Sequence, residues 1–161
     1  MQLILLLFVF NFARVEVALG YGLPIGSAES TLQSEVNMRF WLMPFRVMKT
    51  ELGFSAGISR HTGRNDVSYG IDEITGAIVA RFYPGLAGDK LAIEMYLGIG
   101  TARRYMNDFS ERGTLMVMGA GPSFRVLKVG TREVALYADF SSKPGRKKGM
   151  TCVESGVRIS L

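Results

Sequence analysis

Past its first dozen residues the chain alternates between apolar and polar positions in segment after segment. Val15, Val17 and Leu19 alternate with Glu16, Ala18 and Gly20. Val36, Met38, Phe40 and Leu42 alternate with Glu35, Asn37, Arg39 and Trp41. Leu52, Phe54, Ala56 and Ile58 face Glu51, Gly53, Ser55 and Gly57, and Ile74, Ile78, Ala80 and Phe82 oppose Glu73, Thr75 and Arg81. Ile93, Met95, Leu97 and Ile99 alternate with Glu94, Tyr96, Gly98 and Gly100. A weaker segment runs from Thr114 to Val126, where Pro122 predicts a bulge. Val134, Leu136, Ala138 and Phe140 then alternate with Glu133, Ala135, Tyr137 and Asp139, and Val157, Ile159 and Leu161 close the chain against Glu154, Gly156, Arg158 and Ser160. A period of two is the period of a β-strand. Each segment therefore predicts a strand with one apolar face and one small or charged face.

The spacing between segments alternates too. Short connections are expected at Pro44–Met48, Pro84–Asp89 and Lys128–Thr131. Longer ones are expected at Leu23–Ser34, Arg60–Ser68, Arg103–Gly113 and Ser142–Thr151. Short turns at one end and long loops at the other are the habit of barrels that span an outer membrane. The expected fold is all-β, an eight-stranded antiparallel transmembrane barrel over residues 14–161.

Composition refines this picture. The chain has 161 residues, enough for one domain, and 48% of them are hydrophobic, yet no long apolar run occurs beyond the N-terminus. Residues 1–13 are apolar but too short to span a bilayer. They are expected to be an export segment, complete or clipped, because a basic start and a small-residue cleavage site are lacking. A soluble lipocalin-like barrel would alternate in the same way with its apolar face inward. Lysine placement favours the membrane form, since all six lysines fall in turns, loops or strand ends. Glu and Arg inside the strands then require partners across a narrow lumen. Phe40, Trp41, Phe45, Phe82, Tyr83 and Phe124 gather near the short-turn end, as an interfacial girdle does.

The chemistry on offer is sparse. One cysteine, Cys152, and one histidine, His61, show no ligand spacing, so neither a metal site nor any other cofactor is expected. The net charge of +5 resides largely in the long connections, in Arg60, Arg64, Arg103, Arg104, Arg112, Lys143, Arg146, Lys147 and Lys148. At the mouth of a barrel such groups meet lipopolysaccharide headgroups, and Arg103, Arg104, Lys143, Arg146, Lys147 and Lys148 are the candidate ligands for lipid A phosphates. They lie on separate loops without a nucleic-acid motif, so nucleic acid is not an expected partner.

Ala138–Gly145, with Ile93–Gly100 and the Gly149-Met150 strand start, resembles the second half of the lipid A deacylase barrels of the PagL type. That resemblance implies a hydrolase site near the end of the seventh strand, with Ser141 at the family serine and Glu154 the nearest downstream carboxylate. Asp139 stands where the family has histidine, so His61 and Asp139 are the only candidate bases, and an aspartate is a poor one near neutral pH. The expected function is a lipid A-directed outer-membrane barrel that binds lipid A or formerly hydrolysed it. A structural or adhesive barrel of the OmpA or opacity type is the alternative, with a soluble ligand-binding barrel a third.

Overall fold

A computed structural model describes residues 14–26, 32–63, 69–85, 87–106, 109–144 and 150–161. The expected export segment, Arg64 and Arg146 to Lys148 lie outside the described residues. Eight strands follow one another: β1 (Arg14–Ile25), β2 (Leu32–Val47), β3 (Thr50–Gly63), β4 (Tyr69–Phe82), β5 (Leu91–Met106), β6 (Phe109–Val129), β7 (Arg132–Lys143) and β8 (Met150–Ser160). Each pairs antiparallel with its neighbour, and β8 pairs with β1, so the sheet closes on itself and keeps no free edge.

The alternation sets the inside and the outside. Val36, Phe54, Ile78, Leu97, Leu136 and Ile159 all point outward and are 45–66% exposed. Glu16, Glu51, Glu73, Arg81, Glu94 and Arg158 point inward and are buried. A soluble protein does not present a continuous apolar belt to water while burying its charges. This polarity is that of a barrel whose solvent is lipid, and closed β-barrels are the strand architecture that satisfies every backbone group there. The chain has the fold of an outer-membrane β-barrel.

Several expectations need correction. The connection at 44–48 is a strand that continues to Val47 and turns over Met48-Lys49, with Met48 at φ 53°. Pro44, which has no N–H to give the ladder, sits in the register shift between Leu42 and Phe45. Pro122 stays in register opposite Ile93, and the irregularity of β6 falls later, between Arg125 and Leu127. The expected loop 103–113 is mostly ladder: β5 and β6 pair as far as Met106↔Phe109, so Arg103, Arg104 and Arg112 stand on strands. Phe40, Phe45, Phe82 and Phe124 are exposed on the lipid face, but Trp41 and Tyr83 have the opposite parity and are buried in the lumen.

Candidate functional site

The inward side chains form two ion networks that share no ion pair. The inner network lies toward the short turns. Arg81, 1% exposed, donates to Glu94 at 2.8 and 3.0 Å, to Glu16 at 2.7 and 2.9 Å and to Glu51 at 3.1 Å. Arg158 donates to Glu94 at 2.7 Å and to Ser123, and its guanidinium lies over the Trp41 ring. The indole N–H of Trp41 donates to Glu94, and the Tyr83 hydroxyl to Glu51. Arg14 pairs with Glu16 and Glu133, and Arg125 with Glu133. Four carboxylates thus meet four luminal arginines, with the exposed Arg46 and Lys128 reaching Glu51 and Glu133 from the rim, and an eight-stranded bore filled this way is a plug, not a pore.

The outer network lies toward the long connections. Arg39 bridges Asp139, at 2.8 Å, and Glu154, and stacks over the Tyr96 ring. Ser141 donates its hydroxyl to Glu154 Oε1 at 2.7 Å, and Asn37 donates to the other oxygen. Lys143 Nζ reaches Glu35 at 2.8 Å and Glu73 at 3.0 Å. His61 Nε2 lies 3.2 Å from Glu73 and 3.8 Å from Glu35, without hydrogen-bond geometry to either. Register builds this cluster: Glu35 pairs with His61 across β2 and β3, Ser141 with Cys152 and Asp139 with Glu154 across β7 and β8. Gly22 of β1 makes room for it, since a Cβ there would stand 3.0 Å from Glu154 Cγ and 3.2 Å from Glu35 Oε2. At the mouth an open cavity of about 1040 Å³ takes in both faces of β4, β5 and β6, with Ile71, Glu73, Arg104 and Lys143 on the luminal side and Arg103 and Arg112 on the other.

The residues suggested for catalysis are therefore inside the barrel. Ser141, Asp139 and His61 are at most 4% exposed, and the Ser141 hydroxyl is engaged by a carboxylate and not by the imidazole. His61 belongs to the end of β3 and not to a loop. Of the cations suggested for lipid A, Lys143 is buried in the outer network and Arg104 is half-buried with the luminal parity of its register partner Ile71. Arg103 alone of the described candidates stands exposed on the outer surface.

That surface holds an arrangement the sequence reading missed. Arg60, Asp72, Arg103 and Arg112 are register partners in one row across β3, β4, β5 and β6. All four are exposed, and the row two residues nearer the short turns holds Ile58, Ile74, Thr101 and Thr114. Arg60 is braced by the Tyr105 hydroxyl at 2.9 Å and lies 3.5 Å from Asp72. Among the described residues Arg103 and Arg112 make no ion pair.

The barrel is similar to Ail, the attachment invasion locus protein of Yersinia pestis, in a phospholipid nanodisc, with a TM-score of 0.60 at 12% identity over 92% of this chain and 99% of that one. It is also similar to the N-terminal barrel of Pseudomonas aeruginosa OprF, with a TM-score of 0.56 at 14% identity over 92% and 97%. The outer membrane enzyme PagL overlays with a TM-score of 0.49 at 16% identity over 89% and 97%, too loosely for residues to be compared. No family model and no curated protein matches the chain. The shared property is the fold of the small eight-stranded outer-membrane barrels.

Proposed function

We propose that this chain is a non-catalytic outer-membrane barrel that binds the phosphate-bearing headgroups of lipopolysaccharide at its outer rim. The arginine row Arg60–Arg103–Arg112 carries this reading. Arg103 and Arg112 are neighbours on the outer surface and Arg60 stands across Asp72 from Arg103, one row beyond Ile58, Ile74, Thr101 and Thr114. Guanidinium forks bind phosphate bidentately, and each basic group near an anionic membrane surface contributes about 1 kcal/mol. Hydrolysis is not part of the proposal. Ser141 is sealed among charges where an acyl chain would lose its lipid surroundings, and its hydroxyl has no histidine partner.

The test compares binding of the purified barrel to vesicles containing lipid A and to vesicles with dephosphorylated lipid A. Arg60→Gln, Arg103→Gln and Arg112→Gln together are expected to weaken phosphate-dependent binding about 100-fold, from about 1 kcal/mol each. Sucrose octasulfate, the heparin analogue bound to Ail in its crystal structure, serves as a soluble polyanion competitor. Equal binding to both vesicles, or an undiminished triple variant, refutes the proposal. Mass spectrometry of the same incubations is expected to show no released acyl chain, and release abolished by Ser141→Ala would restore a hydrolase.

A further inference from the structure

We infer that Glu35, His61 and Cys152 form a buried site for a borderline divalent cation of the zinc type, one layer of side chains below the outer mouth. This does not rest on the rim proposal, which concerns other residues on the opposite face of the sheet. Each of the three side chains offers one ligand atom, and these atoms lie within 4.8 Å of one another. Thiolate, imidazole and carboxylate are the donors that zinc accepts, and three protein ligands with an open fourth position is a familiar zinc arrangement. A contraction of about 1 Å brings the donors to the spacing that bonds of about 2.0–2.3 Å require.

Two independent observations point to a ligand. The first is unmet bonding. Glu35 Oε2 and both ring nitrogens of His61 are buried without a hydrogen-bond partner, and Glu35 and His61 are 1% and 0% exposed. Buried polar atoms are nearly always satisfied, so Glu35 Oε2 and the His61 ring nitrogen turned away from Glu73 call for a partner. Lys143 does not fill this need, because its hydrogen bond goes to Glu35 Oε1 and leaves Oε2 free. The second observation is charge. In the inner network four carboxylates meet four luminal arginines. In the outer network Glu35, Glu73, Asp139 and Glu154 meet, among the described residues, the cations Arg39 and Lys143, a surplus of two negative charges there. An imidazolium at His61 would offset one. A divalent cation brings two positive charges and Cys152, releasing its thiol proton to solvent as it binds, returns one, so the surplus falls from two to one. Glu73, 3.2 Å from His61 Nε2, is then the carboxylate that orients the imidazole, leaving the ring a second nitrogen for the ion. Glu73 and Lys143, which contact His61 and Glu35, also line the cavity at the mouth and stand between it and the site.

The test loads the full barrel, folded in detergent, with Co²⁺ as a spectroscopic substitute for Zn²⁺. The expected result is uptake of about one ion per barrel with a thiolate-to-cobalt charge-transfer band, displaced by Zn²⁺. Cys152→Ala should abolish the band, and Glu73→Gln should weaken affinity about tenfold while keeping it. Glu35→Gln, nearly isosteric, repeats the test with a variant whose folding is least disturbed, and it should lose affinity without losing the closed barrel. If wild type shows no thiolate band, or if Cys152→Ala and Glu35→Gln bind the ion as wild type does, the site is refuted and His61 is a counter-ion only.

Discussion

Arg81 offers the sharpest test of the luminal packing. It is 1% exposed and holds Glu16, Glu51 and Glu94 through five hydrogen bonds. Five charge-assisted bonds at about 1.5–3 kcal/mol would suggest a cost near 10 kcal/mol for Arg81→Ala. That sum overcounts, because the carboxylates are not abandoned. Glu94 keeps Arg158 at 2.7 Å, and Glu16 keeps Arg14 at 2.7 Å and Arg158 at 3.2 Å. Glu51 is the one left weakly compensated, with Arg14 and Arg46 at 3.9 Å and the Tyr83 hydroxyl at 2.9 Å. One carboxylate stranded in a dry lumen corresponds to about 3–5 kcal/mol. Guanidinium unfolding of the barrel in bilayers measures this directly. The single tryptophan, Trp41, donates to Glu94 in the same network and reports on it by fluorescence. Arg81→Ala combined with Glu51→Gln should recover part of the loss, since the stranded charge is then gone. A loss below about 1 kcal/mol for Arg81→Ala would mean that water screens these charges as on a surface, and the plug would not be a plug.

Two further substitutions probe the lumen. A Cβ at Gly121 would stand 1.8 Å from the Ala138 carbonyl oxygen and 2.6 Å from Asp139 Oδ1. Gly121→Ala should therefore cost about 3 kcal/mol or prevent closure, seen as loss of the heat-modifiable band on gels, and a normal band would refute the close approach of β6 and β7. Ser141→Ala removes the donor to Glu154, and a stability loss of about 1.5–3 kcal/mol in the same unfolding assay is expected. No change would mean that Ser141 is kept for chemistry and not for the network.

The strands were legible in the sequence because lipid outside and charge inside enforce a strict period of two between about Val15 and Ile159. The same rule, applied residue by residue, places Trp41 inside, since it follows the outward Phe40. Grouping aromatics by their nearness along the chain hid that parity, and with it Tyr83. Above the membrane the rule lapses. Arg103 to Gly113 sets Tyr105, Met106 and Phe109 irregularly among charged and polar residues, so the ladder continues there without any alternation to announce it. The arginine row and the Glu35–His61–Cys152 cluster were illegible for a further reason. Both depend on register between strands, which sequence spacing does not contain. Ser141 and Asp139 were legible as luminal by parity, but their partners Glu154 and Arg39 come from β8 and β2.

The two luminal networks make opposite predictions for the same substitution, a carboxylate changed to its amide. A plug buried in a lipid-surrounded barrel is stable only if its charges cancel, because each uncompensated ion bears the full cost of desolvation. The inner network cancels. Glu94→Gln there would leave Arg81 and Arg158 with Glu16 as their one shared carboxylate and the network with a surplus positive charge, for a cost of about 3 kcal/mol. The outer network carries surplus negative charge, and Lys143 has three carboxylates for one ammonium, at 2.8, 3.0 and 3.9 Å. Removing one of them relieves repulsion and still leaves Lys143 paired. Glu73→Gln should therefore be neutral or stabilising in metal-free buffer, and should lose ground to wild type only when a divalent cation is added. Unfolding midpoints of the two variants, each with chelator and with Zn²⁺, decide the matter. If Glu73→Gln destabilises the metal-free barrel as much as Glu94→Gln does, the outer network is balanced by something other than a bound cation. The asymmetry would then be a property of packing alone.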